Sequence, residues 1–179
     1  MTRPSSIIWA WTSAVGKNRR IRTLDEAPAL SDVLERLVEC AGREAERAAL
    51  LLVKGDRLKG WRLTGFTEDL AAKSIDLSVE EVADDAVPPF AADDIERHAI
   101  SLPVHVGGET VAVLYADAPL GEVSALEARW PAVLDMLVRH AGRVLESMTV
   151  RQVAGLPVSR PLARASHVVT APVEPAESR

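Results

Sequence analysis

The chain has 179 residues, 47% of them apolar and 26% charged, which suits one core-forming domain with tails. A formal net charge of −5 gives an average surface that does not favour nucleic acid, and no apolar stretch approaches the ~20 residues that span a bilayer. Cys40 is the only cysteine, which excludes an intramolecular disulfide and a thiolate metal cluster and fits a reducing cytoplasm.

From Met1 to Thr23 there are five basic residues (Arg3, Lys17, Arg19, Arg20, Arg22) and no acid, so residues 1–24 are expected to form a solvated basic arm. Within it, the Ile7–Trp11 run is too short for the apolar region of a signal peptide. The first clear element is a helix over Ala27–Glu46. Leu30, Val33, Leu34, Leu37, Val38, Ala41 and Ala45 make one apolar stripe at helical spacing. Asp25 and Glu26 stand near its start, where the helix dipole favours negative charge, and Pro28 suits a first turn.

The apolar run Ala48–Val53 ends at the turn signal Lys54-Gly55-Asp56 and reads as a central strand covered on both faces. Leu58–Phe66 is its hairpin partner, with alternation placing Trp61 and Arg62 on opposite faces. From Thr67 to Arg97 regularity is lost. Ten acids stand there against Lys73 and Arg97, and Pro88-Pro89 blocks regular pairing. A short helix over Glu68–Lys73 and a short strand over Ile75–Leu77 are expected inside it.

Ile100, Leu102, Val104 and Val106 alternate with Ala99, Ser101, Pro103 and His105, the pattern of a half-buried strand. Pro103 cannot donate to a ladder and belongs at an edge or a bulge. Gly107-Gly108 is a two-residue hairpin turn, and Val111–Ala116 is a second central strand. Ser124 and Glu127 form a capping-box pair ahead of a long closing helix, in which Pro131 predicts a kink or a fresh start. Trp130, Val133, Leu134, Leu137, Val138, Ala141, Val144, Leu145 and Met148 trace its stripe. After Ala154 periodicity ends and four prolines occur between Leu156 and Pro175, so 153–179 reads as a disordered tail.

Leu34-Glu35-Arg36-Leu37 in the first helix, Arg47-Ala48-Ala49-Leu50-Leu51-Leu52-Val53 in the first strand, and above all Ser101–Asp117 carry a resemblance to GAF domains. The last stretch resembles the family's proline-containing strand, glycine hairpin and final strand ending in an acidic residue. The resemblance covers roughly Leu30 to Glu146. It implies an α/β (α+β) fold: one antiparallel five- or six-stranded sheet with N- and C-terminal amphipathic helices on one face, spanning 25–152. It also implies a small-molecule pocket on the other face and frequent dimerisation through the terminal helices. The family's glycine-rich stretch after the third strand is replaced here by Asp76–Glu81, and the roof between Ile75 and Ile100 is short, which argues against a large ligand.

Cys40 lies among apolar helix positions and reads as packing, and a single cysteine argues against the GAF-like methionine sulfoxide reductases. His98 and His105 lack the close spacing of a zinc pair, and Asp84-Asp85 with Asp93-Asp94 lack the glycine of a calcium loop, so no metal is expected. Trp61, Arg62, Phe66, His98 and Tyr115 are the ligand- or partner-binding candidates. Trp130, Leu134, Val138, Ala141, Leu145 and Met148 are candidates for a dimer interface. The expectation is a cytoplasmic, non-catalytic regulatory module that forms a homodimer or meets a signalling partner and senses an unidentified small molecule. No cofactor, nucleic acid or membrane is expected. The alternative is a small enzyme with dispersed catalytic residues. The tail reading predicts that limited proteolysis cuts at Arg160 or Arg164 well before the domain; equal protection there would mean that the tail docks.

Overall fold

Helices α1 (19–25), α2 (Leu30–Ala41) and α3 (Trp130–Val153) flank a sheet of five strands in a computed structural model that describes residues 19–82, 87–93, 95–120 and 129–155. The strands are β1 (Arg47–Lys54), β2 (Arg57–Thr64), β3 (Asp76–Ser78), β4 (Arg97–Val106) and β5 (Glu109–Pro119). The spatial order is β3-β2-β1-β5-β4, with every neighbouring pair antiparallel. This is the α+β arrangement expected from the alternation of apolar runs and turn signals.

The two hairpins follow from their turns. Gly55 has φ 66°, and Lys54 pairs with Arg57 across it. Gly107 and Gly108 have φ 61° and 88° between the paired residues Val106 and Glu109. Only glycine reaches positive φ cheaply at both central positions, and such turns match the twist of the strands they join. Pro103 is exposed on β4, an edge strand, where its missing N–H costs no inner ladder bond.

The helices cover one sheet face. Leu37, Val38 and Ala41 of α2 and Leu134, Leu137 and Ala141 of α3 meet Ala48, Leu50, Val104, Ala112 and Leu114 in one buried cluster. Leu102 and Val106 pack against it, as the alternation along β4 predicts. Cys40 is buried in the same layer, and burial pushes its thiol pKa up, which keeps it protonated. Gly142 lets α3 approach β4 closely, since a Cβ there would stand 2.5 Å from the His105 carbonyl oxygen.

Several boundaries differ from the sequence reading. The basic arm does not extend to residue 24. Residues 19–25 are helical, Leu24 is fully buried in the main core, and Arg20 pairs with Glu44. Asp25 ends α1, where its Oδ1 lies 2.8 Å from His140 Nε2 on α3, and so does not cap α2. The helix expected over Ala27–Glu46 runs only from Leu30 to Ala41, because the chain turns at Gly42 against Thr64. A Cβ on Gly42 would stand 2.5 Å from Thr64 Cγ2. Glu68–Lys73 is not a helix; a single 3₁₀ turn occupies Ala72–Ser74, and the short strand begins at Asp76. Pro131 lies in the first turn of α3, the fresh start and not a kink. Residues 1–18, Asp84-Asp85, Asp94, the Ser124/Glu127 pair and the tail from residue 156 lie outside the described residues.

A second apolar layer covers the opposite sheet face. Leu51 and Leu58 meet Ile75, Leu77 and Val82 from the irregular segment, with Leu70 and Phe90 against them. Leu37, Leu51, Leu114 and Leu137 are all fully buried. Truncating Leu51 to Ala is expected to cost ~2–5 kcal/mol in denaturant unfolding; a loss below ~0.5 kcal/mol would contradict its place in this second layer.

Candidate functional site

A mixed polar and aromatic site lies where the ends of β1, β2 and β5 and the start of β4 meet the irregular segment. Antiparallel pairing sets Arg47, first residue of β1, directly opposite Asp117 near the end of β5. Arg47 Nε donates to Asp117 Oδ1 at 2.9 Å and Nη2 to Oδ2 at 2.6 Å, a forked contact on a carboxylate with no exposed surface. Tyr115, fully buried two residues earlier on the same face, donates its hydroxyl to Asp117 Oδ2 at 2.5 Å.

The network reaches outward through two further groups. Arg47 Nη2 donates to the Ala91 carbonyl at 2.8 Å and Nη1 to Asp93 Oδ2 at 3.0 Å. Arg97, at the head of β4, donates Nε to Asp93 Oδ2 at 2.9 Å and Nη1 to Asp117 Oδ1 at 3.1 Å, and it also meets Glu46 at 3.3 Å. Five charged side chains therefore interlock: two arginines and three acids.

Burial opposes the charge on both guanidiniums, but their carboxylate bonds outweigh it and raise both above the ordinary arginine pKa. For Asp93, burial works against the anion. The Arg97 hydrogen bond, the Ile95 N–H and the two arginine charges prevail and hold its pKa below the usual carboxylate range. Burial, reinforced by the bond to Asp117, pushes the Tyr115 hydroxyl far above its ordinary pKa, so it acts as a fixed donor.

Aromatic rings line this network. Arg47 Cζ sits 5.0 Å from the centre of the Phe66 ring; Phe66 and Phe90 are 5.7 Å apart, and Phe90 meets Tyr115 edge-on at 5.5 Å. Between them opens a cleft of 520 Å³, with Phe66, Phe90 and Leu70 on its apolar side and Arg47, Asp93 and Arg97 on its polar side. Gly65 forms part of its wall, and its φ of 78° and approach to Glu46 leave no room for a Cβ, which would stand 2.0 Å from the Glu46 carbonyl oxygen. The cleft opens on the second face beside its apolar filling.

The five candidate site residues do not converge. Phe66 lines the cleft, and Tyr115 lies behind it, buried and closed to a ligand. Trp61 and Arg62 share the helical face, contrary to the alternation. A β-bulge sets Leu50 opposite Arg62 and Leu51 opposite Gly60, leaving Trp61 as the extra residue. Trp61 therefore packs against the main core, and Arg62 pairs with Glu35 of α2 at 2.7 Å. His98 is also remote, its ring 5.2 Å from that of Trp130.

The dimer-interface candidates need a correction too. Leu134, Val138, Ala141 and Leu145 are buried in the chain's own core, and Trp130 and Met148 are half-buried against it. The exposed apolar residues of α3 lie further on, at Val150 and Val153, 62% and 85% exposed.

Sequence reasoning singled out Arg47 and Asp117 only as parts of a family pattern, and it missed Asp93 and Arg97 as a pair. The available signal was a charge at the head of one continuous apolar strand and an opposite charge at the foot of another. Antiparallel pairing must bring such ends together.

No family model matches the chain, and no curated protein matches its sequence. Solved structures do match in shape. The GAF domain of a phosphoenolpyruvate-protein phosphotransferase from Acinetobacter superposes with a TM-score of 0.58 at 13% identity, covering 78% of this chain and 95% of that one. A corresponding GAF domain from Coxiella burnetii gives 0.54 at 16% identity, with 80% and 99% covered. A GAF domain/HD domain protein from Geobacter sulfurreducens gives 0.53 at 14%, with 71% and 98% covered. The fold is GAF-like.

Asp93 also sets an expected acid response. Its lowered pKa means that its ion pairs contribute stability in full above the ordinary carboxylate pKa of about 3.9 and lose it as the pH falls through the lowered value. Asp93→Asn should flatten this acid limb of stability against pH. Asp117→Asn, which strips two buried guanidiniums of their shared anion, should cost ~3–5 kcal/mol at neutral pH. Unfolding curves between pH 2 and 7 test both; an unchanged acid limb in Asp93→Asn would contradict the assignment.

Proposed function

We propose that this GAF-like chain is a non-catalytic regulatory module in signalling. It acts by pairing with a second copy or a signalling partner and by sensing a small molecule at the Phe66 cleft. The observation that supports this reading is the likeness in fold to GAF domains of phosphoenolpyruvate-protein phosphotransferases, nearly all of whose length the match covers. The chemistry of the site supports it. The buried groups satisfy one another: Asp117 accepts from Arg47, Arg97 and Tyr115, and the Tyr115 hydroxyl is held as a donor. The cysteine thiol is buried and protonated on the other side of the sheet. Such groups hold a shape; a nucleophile or general base needs a freer proton inventory near neutral pH.

Pairing is assigned to the far end of α3. The helix extends past its last buried residue, Leu145, and carries Val150 and Val153 outward. Exposed valines one turn apart on a helix suit a parallel or antiparallel partner helix about a two-fold axis. Sedimentation is expected to show a dimer at micromolar concentration. Val150→Glu with Val153→Glu should give a monomer with an unchanged circular-dichroism spectrum. A parent chain that stays monomeric across that range would overturn the homodimer.

A further inference from the structure

Asp93 places its carboxylate between two arginine side chains. Two guanidiniums converge on it, Arg47 through Nη1 at 3.0 Å and Arg97 through Nε at 2.9 Å. Both are fixed from behind by Asp117, which takes Nε and Nη2 of Arg47 and Nη1 of Arg97. Asp117 holds these donors through contacts separate from Asp93, and a planar anion accepting from N–H groups so held gains with less ordering cost.

The occupant is less firmly held than its hosts. The Asp93 side chain is 30% exposed, against 10% for Arg47, 4% for Arg97 and none for Asp117. It belongs to neither strand nor helix, standing between the 3₁₀ turn Pro89–Ala91 and β4. The cleft opens beside it, with Phe66, Phe90 and Leu70 forming an apolar wall.

We propose that the cleft binds a small organic monocarboxylate with an aromatic or branched apolar body. Its carboxylate replaces Asp93 between Arg47 and Arg97, and its body lies against Phe66 and Phe90. The charges on the rim restrict the class. Glu46 and Asp69 also line the cleft, so a phosphate dianion meets about twice the repulsion that a single carboxylate does. The proposal rests on reading the cleft as the sensing site and is independent of dimerisation.

Asp93→Ala vacates the position. Thermal unfolding of this variant is followed at constant ionic strength in sodium chloride, acetate, benzoate and phosphate. Benzoate and acetate should raise its Tm well beyond their effect on the parent. Benzoate should act at roughly tenfold lower concentration than acetate, because its ring is buried against the phenylalanines. Adding Phe66→Leu should narrow that gap. Equal responses of variant and parent, or phosphate matching benzoate, would overturn the proposal. A rise with some other small molecule and none with carboxylates would overturn this ligand class while leaving the cleft as a sensing site. Should Asp93→Ala fail to fold, the parent answers the question by NMR. The Nε–H resonances of Arg47 and Arg97 should shift together and saturably with benzoate, and their indifference up to its solubility limit would sink the assignment.

Discussion

The forked pairing of Arg47 with Asp117 is the constraint on which the second half of the fold depends. Both groups lie on central strands, where a charge without its partner costs several kcal/mol. Their being opposite one another fixes the β1–β5 register, since a slip of one residue would strand both charges and send every apolar side chain to the wrong face. A core of aliphatic residues alone would penalise that slip through packing, but less sharply. The same pair holds the irregular segment: Arg47 binds the Ala91 carbonyl and Asp93, and Arg97 adds a second hold on Asp93. One ion pair thus connects sheet register to the position of the roof.

The two sheet faces are built on different principles. The helical face is a continuous apolar layer in which α2 and α3 bury long stripes against β1, β4 and β5. The other face has too little chain over it for a helical layer. It is filled by single side chains, Ile75, Leu77, Val82 and Phe90, delivered by short turns and a three-residue strand. Where those side chains run out, at the β1 and β4 heads, charged and aromatic groups take over and the cleft opens. Among the described residues, the short roof leaves an open recess at this margin.

Strand existence, turn positions and the helical face were legible because each is written in local periodicity: alternation at Ile100–Val106, continuous runs at Ala48–Val53 and Val111–Ala116, glycine pairs at the turns. What escaped was non-local. The bulge at Trp61 is invisible to an alternation count, since nothing in Gly60-Trp61-Arg62 announces an extra residue, and it brought Arg62 onto the face that Trp61 occupies. The α3 stripe was read correctly as apolar but assigned to a partner, whereas α2 and the sheet bury most of it within the chain. The short helix α1 hid in a run whose arginines suggested a solvated arm, while Ile21 and Leu24 join the core. The ion network was half legible: its strand ends could be paired from topology, but Asp93 could not be chosen among ten acids without knowing which one the loop returns.

Pro103 carries a consequence for how this sheet can grow. An open sheet has two margins that could recruit an extended peptide by backbone pairing. Here β3 is only three residues long, and β4 presents a proline in its middle and a register break at Val104/His105. A strand laid along β4 would find no amide donor at Pro103 and an irregular spacing just beyond it. Both margins are thereby poorer templates for β-augmentation and edge-to-edge aggregation than a long regular edge strand.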